Sequence, residues 1–153
     1  MRTSPMRQLC ARAALIASGY LSMAVAAAPT GRYTVADGTV HDTKTKLTWQ
    51  QTASSTSYSF AEARDVCAGL GATLGGEGWR VPTVKELLTV VDHSRSNPSI
   101  DTAAFPSFSP SQYWTATTLE TPPVGYCLVD FGDGRIRFTA TDRTERYLVL
   151  CVR

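Results

Sequence analysis

The groups with which this chain could do covalent or acid–base chemistry are two histidines, thirteen carboxylates and four cysteines. Their spacing fits no catalytic pattern. His41 falls at a strand end or turn and His93 just after a helix, and no G-x-S-x-G elbow surrounds any serine. Neither an H-E-x-x-H run nor a paired-cysteine spacing suggests zinc. Asp130 and Asp133 could form a carboxylate pair, but Asp beside Gly in a turn more simply serves backbone geometry. Acid–base work would also need a cleft that sets two such groups in opposed environments. Gly75-Gly76-Glu77-Gly78 lacks the Lys-Ser/Thr and the strand context of a phosphate loop. The expectation is a chain that is not an enzyme and uses no metal or cofactor.

Binding chemistry has one local candidate. Arg135 and Arg137 alternate onto one face of a strand, with Ile136 and Phe138 on the other. Arg143 and Arg146 follow in the next loop, and Tyr126 could add stacking on a sugar ring. Converging, these side chains would form a small basic patch suited to sulfate or carboxylate groups through bidentate hydrogen bonds. The plainer reading is a solvated edge face, because Asp130, Asp133, Asp142 and Glu145 are interspersed. Trp49 and Trp114 read as core, where large aromatics dominate burial.

The elements that must hold these residues begin after an address segment. Arg2, Arg7 and Arg12 form a positive n-region, Ala13 to Ala28 an apolar run, and Ala24-Val25-Ala26-Ala27-Ala28 an A-x-A-like cleavage site. The run is shorter than the ~20 residues a spanning helix needs. Residues 1–27 are therefore expected to be a signal peptide and residues 28–153 a single periplasmic or secreted domain. Without the three leader arginines, twelve basic side chains face thirteen acidic ones, so the +2 of the full chain becomes about −1. A near-neutral module has no electrostatic case for nucleic acid. Cys10 leaves with the leader, and Cys67, Cys127 and Cys151 then meet an oxidising compartment. Three pairings are possible and sequence does not separate them; Cys67–Cys151 is favoured, with Cys127 then a buried free thiol or an intermolecular link, the thiol being the favoured of the two.

The mature chain opens with a hairpin, Asp37-Gly38 lying between Arg32–Val35 and Thr39–Val40. A turn over Asp42–Lys46 leads to the strand Leu47–Gln50. Ser59 and Glu62 form a capping box for a helix whose face carries Phe60, Ala63, Cys67 and Leu70, with Arg64 and Asp65 as its solvated side. Gly71 is placed to end that helix in a left-handed conformation. In Gly78-Trp79-Arg80-Val81-Pro82-Thr83-Val84-Lys85-Glu86-Leu87-Leu88, Pro82 holds Val81 extended. Thr83 and Glu86 form a second capping box, and Val84, Leu87, Leu88 and Val91 form an apolar stripe. A Ser- and Pro-rich loop over Asp92–Gln112 is expected to be pinned by Ile100, Phe105 and Phe108. Three strands follow, Tyr113–Thr118, Tyr126–Phe131 and Arg135–Thr139, with a loop at Pro122-Pro123 and a Gly132-Asp133-Gly134 hairpin tip. Leu148–Val152 is expected to close the domain as a β-branched-rich central strand.

G-R-Y-T-V, D-T-K-T-K-L-T-W, the helix with Cys67, G-W-R-V-P-T-V-K-E-L, I-D-T-A-A-F-P, Y-W-T-A-T and a terminal C-V-R occur here in order. Together they resemble the bacterial family DUF1566, the C-terminal domain of the Legionella collagen-like protein, over nearly all the mature chain. That resemblance implies an α+β, C-type-lectin-like fold: two helices, small antiparallel sheets and a long loop region. It also implies a Cys67–Cys151 disulfide. The family's collagen-like member is similar to an adhesin for sulfated polysaccharides, so the expected partner is a sulfated or acidic polysaccharide, or else an envelope protein. Asn97-Pro98 is preceded by Ser96, so the E-P-N or Q-P-D loop of calcium-dependent lectins is absent. The W-R-V-P-T-V-K-E core also resembles formylglycine-generating enzymes. Their copper site needs two adjacent cysteines, and here only Cys127 and Cys151 could supply them.

Overall fold

Asp37 and Gly38 both take positive φ, 49° and 75°, the geometry of a two-residue type I′ turn that suits the twist of a hairpin. The turn joins β1 (Tyr33–Ala36) to β2 (Thr39–Asp42), which pairs antiparallel with β3 (Thr48–Gln50). A second antiparallel sheet is ordered β4 (Gln112–Leu119), β5 (Gly125–Asp130), β6 (Arg135–Ala140). The β5–β6 turn closes through a Gly134 N–H to Asp130 carbonyl bond of 2.7 Å. Gly134 has φ +74°, and a Cβ there would meet Val91 Cγ1 at 2.8 Å, so two constraints require glycine. The computed structural model describes residues 31–120, 125–140 and 145–153. The expected leader, the Pro122-Pro123 loop, Asp142 and Arg143 lie outside the described residues. The fold class is α+β: two small antiparallel sheets with short helices between them in the chain.

Both capping boxes form. In α1 (Phe60–Gly69) the Glu62 N–H donates to Ser59 Oγ and the Ser59 N–H donates to Glu62 Oε2 at 2.8 Å. Gly71 departs from expectation. It does not adopt the left-handed conformation, and the chain runs on into a one-turn helix, α2 (Gly71–Leu74). Glycine is needed at 71 for a different reason: a Cβ there would stand 2.7 Å from the Gly76 carbonyl oxygen. The left-handed residues come after α2, at Gly75, Gly76 and Gly78.

Helix α3 (Val84–Thr89) starts on Thr83 as expected but lasts only six residues. The apolar stripe therefore outlives the helix. Leu87 and Val90 are fully buried, while Val84, Leu88 and Val91 pack at the margin of the core. Pro82 is fixed from outside, since its carbonyl accepts the Ala116 N–H at 2.7 Å, and Thr117 Oγ1 accepts the Val84 N–H at 3.0 Å. These two bonds lock the helix start onto β4.

Residues 148–152 are buried and central, but they do not form the strand expected of them. Its backbone bonds go to several places: Leu148 meets Tyr113 and Gln112, Val149 meets Ser54, Cys151 meets Gln50, and Val152 meets Trp49 and Arg80. The segment changes partner along its length and meets β3 only at its end, where the Gln50 N–H donates to the Cys151 carbonyl and Thr48 and Arg153 exchange backbone bonds, so no ladder runs along the whole of it. It is tied covalently instead, by the Cys67–Cys151 disulfide, with Cα atoms 5.5 Å apart. Cys127 is a buried free thiol, and burial pushes its pKa up.

Two apolar clusters fill the interior. One gathers Trp49, Leu87, Val90, Tyr113, Phe131 and Leu150 with Ile100, Phe105 and Phe108 of the long loop. The Phe108 and Tyr113 rings stack at 4.7 Å, so the loop is part of the core. The other gathers Ala63, Cys67, Trp79, Val81, Trp114, Leu128, Val149 and Cys151.

The α3 cap carries a pH signature. Arg80 clamps Glu86 through bonds of 2.8 and 2.6 Å, and with help from the Thr83 N–H this lowers the Glu86 carboxyl from 4.5 to about 2. The folded value lies below the unfolded one. The stabilisation is therefore present above pH 4.5 and lost as pH falls toward 2. Glu86→Gln is expected to cost roughly 1–2 kcal/mol at pH 7, from the bidentate pair and the cap together. Urea midpoints at pH 7 and pH 3 check this. The variant should lose less stability between the two than the parent, and equal losses would assign the acid sensitivity elsewhere.

Candidate functional site

The register of the second sheet decides which candidate residues meet. Leu128 stands opposite Arg137, Tyr126 opposite Thr139, and Asp130 opposite Arg135. Directly paired residues share a face, so Arg135, Arg137 and Tyr126 lie on the same side of the sheet. Arg146 joins from the last segment, where Tyr147 bridges to Tyr58 and packs edge-on to Trp114 at 4.9 Å. Arg146 reaches the start of α1, pairing with Glu62 at 2.8 Å. Four of the five candidate binding residues are thus placed, and Arg143 lies outside the described residues.

Each of the placed arginines has an acidic neighbour. Arg137 donates to Asp133 at 2.7 Å and stands 3.5 Å from Asp130. Desolvation pushes the Asp133 carboxyl up, and bonds from Arg137 and the Arg135 N–H outweigh it, leaving Asp133 below its ordinary value. Asp130 and Asp133 also accept the Gly132 and Arg135 N–H groups, at 2.8 and 3.1 Å, which is the turn-forming role of Asp. Arg135 differs. Its nearest carboxylate is 3.8 Å away and its side chain is 77% exposed, so its donors face water. Tyr126 is half-buried, its ring against Phe60 at 4.3 Å and Trp114 at 5.6 Å.

Phe60 carries the surface around a corner into a groove of about 500 Å³. The groove is lined by Phe60, Arg64, Asp65 and Ala68 of α1, by Trp79, Arg80 and Val81, and by Ala116 of β4. Phe60, Arg64 and Ala68 are i, i+4 and i+8, one row on the helix surface. Ala116 reaches the groove because β4 breaks register between Trp114 and Thr118, where its N–H turns to Pro82. Trp79 is nearly buried, its Nε1–H donating to the Gly75 carbonyl at 2.9 Å, and the Arg153 guanidinium lies 5.4 Å from its ring. Arg80 is held at the groove by Glu86, whose carboxylate also accepts the Thr83 N–H at the start of α3.

Sequence reading assigned Arg64 and Asp65 to a solvated helix side, and both are exposed. What it missed is the wall opposite them. The helix row alone carries a signal, an aromatic, an arginine and a small residue one turn apart, but nothing local says that Trp79–Val81 and Ala116 face it.

Among the described residues, no group of three His, Cys, Asp or Glu side chains could hold a metal ion. His41 Nδ1 lies 3.3 Å from Thr48 Oγ1 on neighbouring strands, and His93 packs beside Gly134. No described helix is long and apolar enough to cross a membrane. Residues 38–153 match the family described as the Lcl C-terminal domain. None of the curated proteins matches the chain.

Proposed function

Because the chain belongs to the Lcl C-terminal domain family, we propose that it is an exported, non-enzymatic binding module for an anionic glycan at or outside the cell envelope. The observation that carries this reading is the shared face of Arg135, Arg137 and Tyr126. Arg137 is oriented by Asp130 and Asp133, and Arg135 keeps open donors for a sulfate or carboxylate. Mixed charge along the face suits a weakly held polyanion more than a tight electrostatic clamp. A C-type-lectin-like architecture agrees with the two small sheets, the long loop packed into the core and the disulfide from helix to last segment. Periplasmic or secreted placement agrees with that disulfide.

A second reading, a protein-interaction or structural module, rests on the opposite face of β6. There Ile136 and Phe138 are exposed, Phe138 to 64%, on an edge strand. The two readings part on salt. Binding of the purified protein to sulfated and uronic-acid glycans should saturate, weaken between low and moderate salt, and fall about tenfold in Arg135→Ala/Arg137→Ala. A blank glycan array, or binding indifferent to salt and to that double variant, would favour the protein-partner reading.

A further inference from the structure

The geometry points to the groove between α1 and Trp79–Val81 as a subsite for one carboxylate-bearing sugar ring, its carboxylate on Arg64 and its hydroxyls on Asp65. The inference rests on the glycan-binding reading and names a different set of contacts for it.

Among the described arginines, Arg64 alone has neither a carboxylate nor an aromatic ring against it. Arg32, Arg80, Arg95, Arg135, Arg137 and Arg146 pair with acids, and Arg153 lies over Trp79. Asp65, the next residue, is likewise without a described partner. A guanidinium offers five donors in a planar fork and a carboxylate offers only acceptors. The pair therefore presents complementary chemistry that the fold itself leaves unused, at the mouth of a cavity.

Cavity size and walls narrow the class. A volume of about 500 Å³ lies within the ~300–1,000 Å³ of small-molecule sites. Phe60, Trp79, Val81, Ala68 and Ala116 make an apolar lining suited to the C–H face of a ring. Arg80 adds a fixed cation whose terminal nitrogens are held by Glu86.

Helix geometry selects a ring over a compact zwitterion. Successive residues diverge by about 100° around a helix, so Arg64 and Asp65 do not point at one spot. An α-amino acid carries its ammonium and carboxylate on one carbon and cannot easily span both. A pyranose uronic acid holds its carboxylate at one edge and its hydroxyls at another, which matches the divergence. Phe60 also makes the subsite continuous with the β5–β6 face, because the same ring packs at a tilt against Tyr126. One residue of a longer acidic glycan could sit in the groove while its neighbours run toward Arg137.

The test is titration of the full exported protein with glucuronic acid, its methyl ester and glucose, followed by backbone-amide NMR. Glucuronic acid should shift amides of residues 60–68 and 79–81, and the ester and glucose should bind about tenfold more weakly. Arg64→Ala, and separately Ala68→Trp, which fills the groove without touching a charge, should each weaken glucuronic acid about tenfold or more. In Arg135→Ala/Arg137→Ala any shifts on β5 and β6 should be lost, while those at 60–68 and 79–81 should depend on Arg64. If that double variant abolishes the shifts while Arg64→Ala does not, the groove is wrong and the glycan-binding reading stands. If neither glucuronic acid nor any glycan on the array binds, both fall together.

Discussion

Replacing Cys67 and Cys151 by alanine is expected to destabilise the chain by roughly 4–5 kcal/mol. The two cysteines are 84 residues apart in sequence. In the chain-entropy account, closing a loop of that length removes conformations from the unfolded ensemble and nothing from the folded one. Two features of the fold make the full effect plausible. Both sulfurs sit in the cluster around Trp79 and Trp114, so their loss also leaves small voids. The segment that carries Cys151 bonds to Gln112, Trp114, Ser54 and Arg80 in turn and pairs with β3 only over its last three residues. Its position depends on the covalent tie more than that of a strand laddered along its whole length would. Against a typical stability of ~5–15 kcal/mol, a loss of this size approaches unfolding at ambient temperature. Urea denaturation of the double alanine variant checks it, with Cys127→Ala as control because that thiol takes part in no bridge. A loss near 1 kcal/mol would mean that packing alone holds the last segment in place.

Legibility from sequence followed the range of the interaction. Features decided within four residues were readable, both capping boxes and the Asp37-Gly38 turn, and residue type alone indicated the burial of Trp49 and Trp114. Errors arose where a distant backbone settled the matter. Gly71 looked like a helix stop, but its lack of a side chain serves the approach of Gly76. The stripe through Val91 predicted a longer helix, but α3 ends at Thr89 with Val90 still buried beneath it. The apolar run 148–152 read as a strand because burial and a ladder leave the same sequence trace, and only tertiary partners separate them. The candidate site divides the same way. Alternation placed Arg135 and Arg137 on one face, since a strand's period is fixed locally. Their acidic partners, and the groove at Arg64, depend on a turn and on a β4 irregularity that no periodicity encodes.

Trp114→Ala is expected to cost roughly 3–5 kcal/mol and to weaken acidic-sugar binding in the protein that remains folded. The indole is 2% exposed and meets Phe60, Tyr126 and Tyr147 edge-on, at 5.6, 5.6 and 4.9 Å. Edge-to-face pairs add about 0.5–1.5 kcal/mol beyond area burial, so three of them on one ring place this site near the top of the range. Its Nε1–H donates to the Tyr58 carbonyl at 2.7 Å, joining β4 to the chain just before α1. That carbonyl also accepts the Tyr147 N–H at 3.0 Å. Trp114→Phe therefore leaves no orphaned acceptor and should cost only about 1–2 kcal/mol, mostly as lost volume. The functional consequence follows from the same contacts. Phe60 forms one wall of the groove and Tyr126 belongs to the β5–β6 face, and the indole backs both. Removing it frees two rings that any sugar would need held still, so the alanine variant should bind more weakly than the phenylalanine one. Paired measurement of urea stability and glucuronic acid binding distinguishes this from simple unfolding. Equal affinity in the folded fractions of the two variants would show that the indole supports the core without shaping the site.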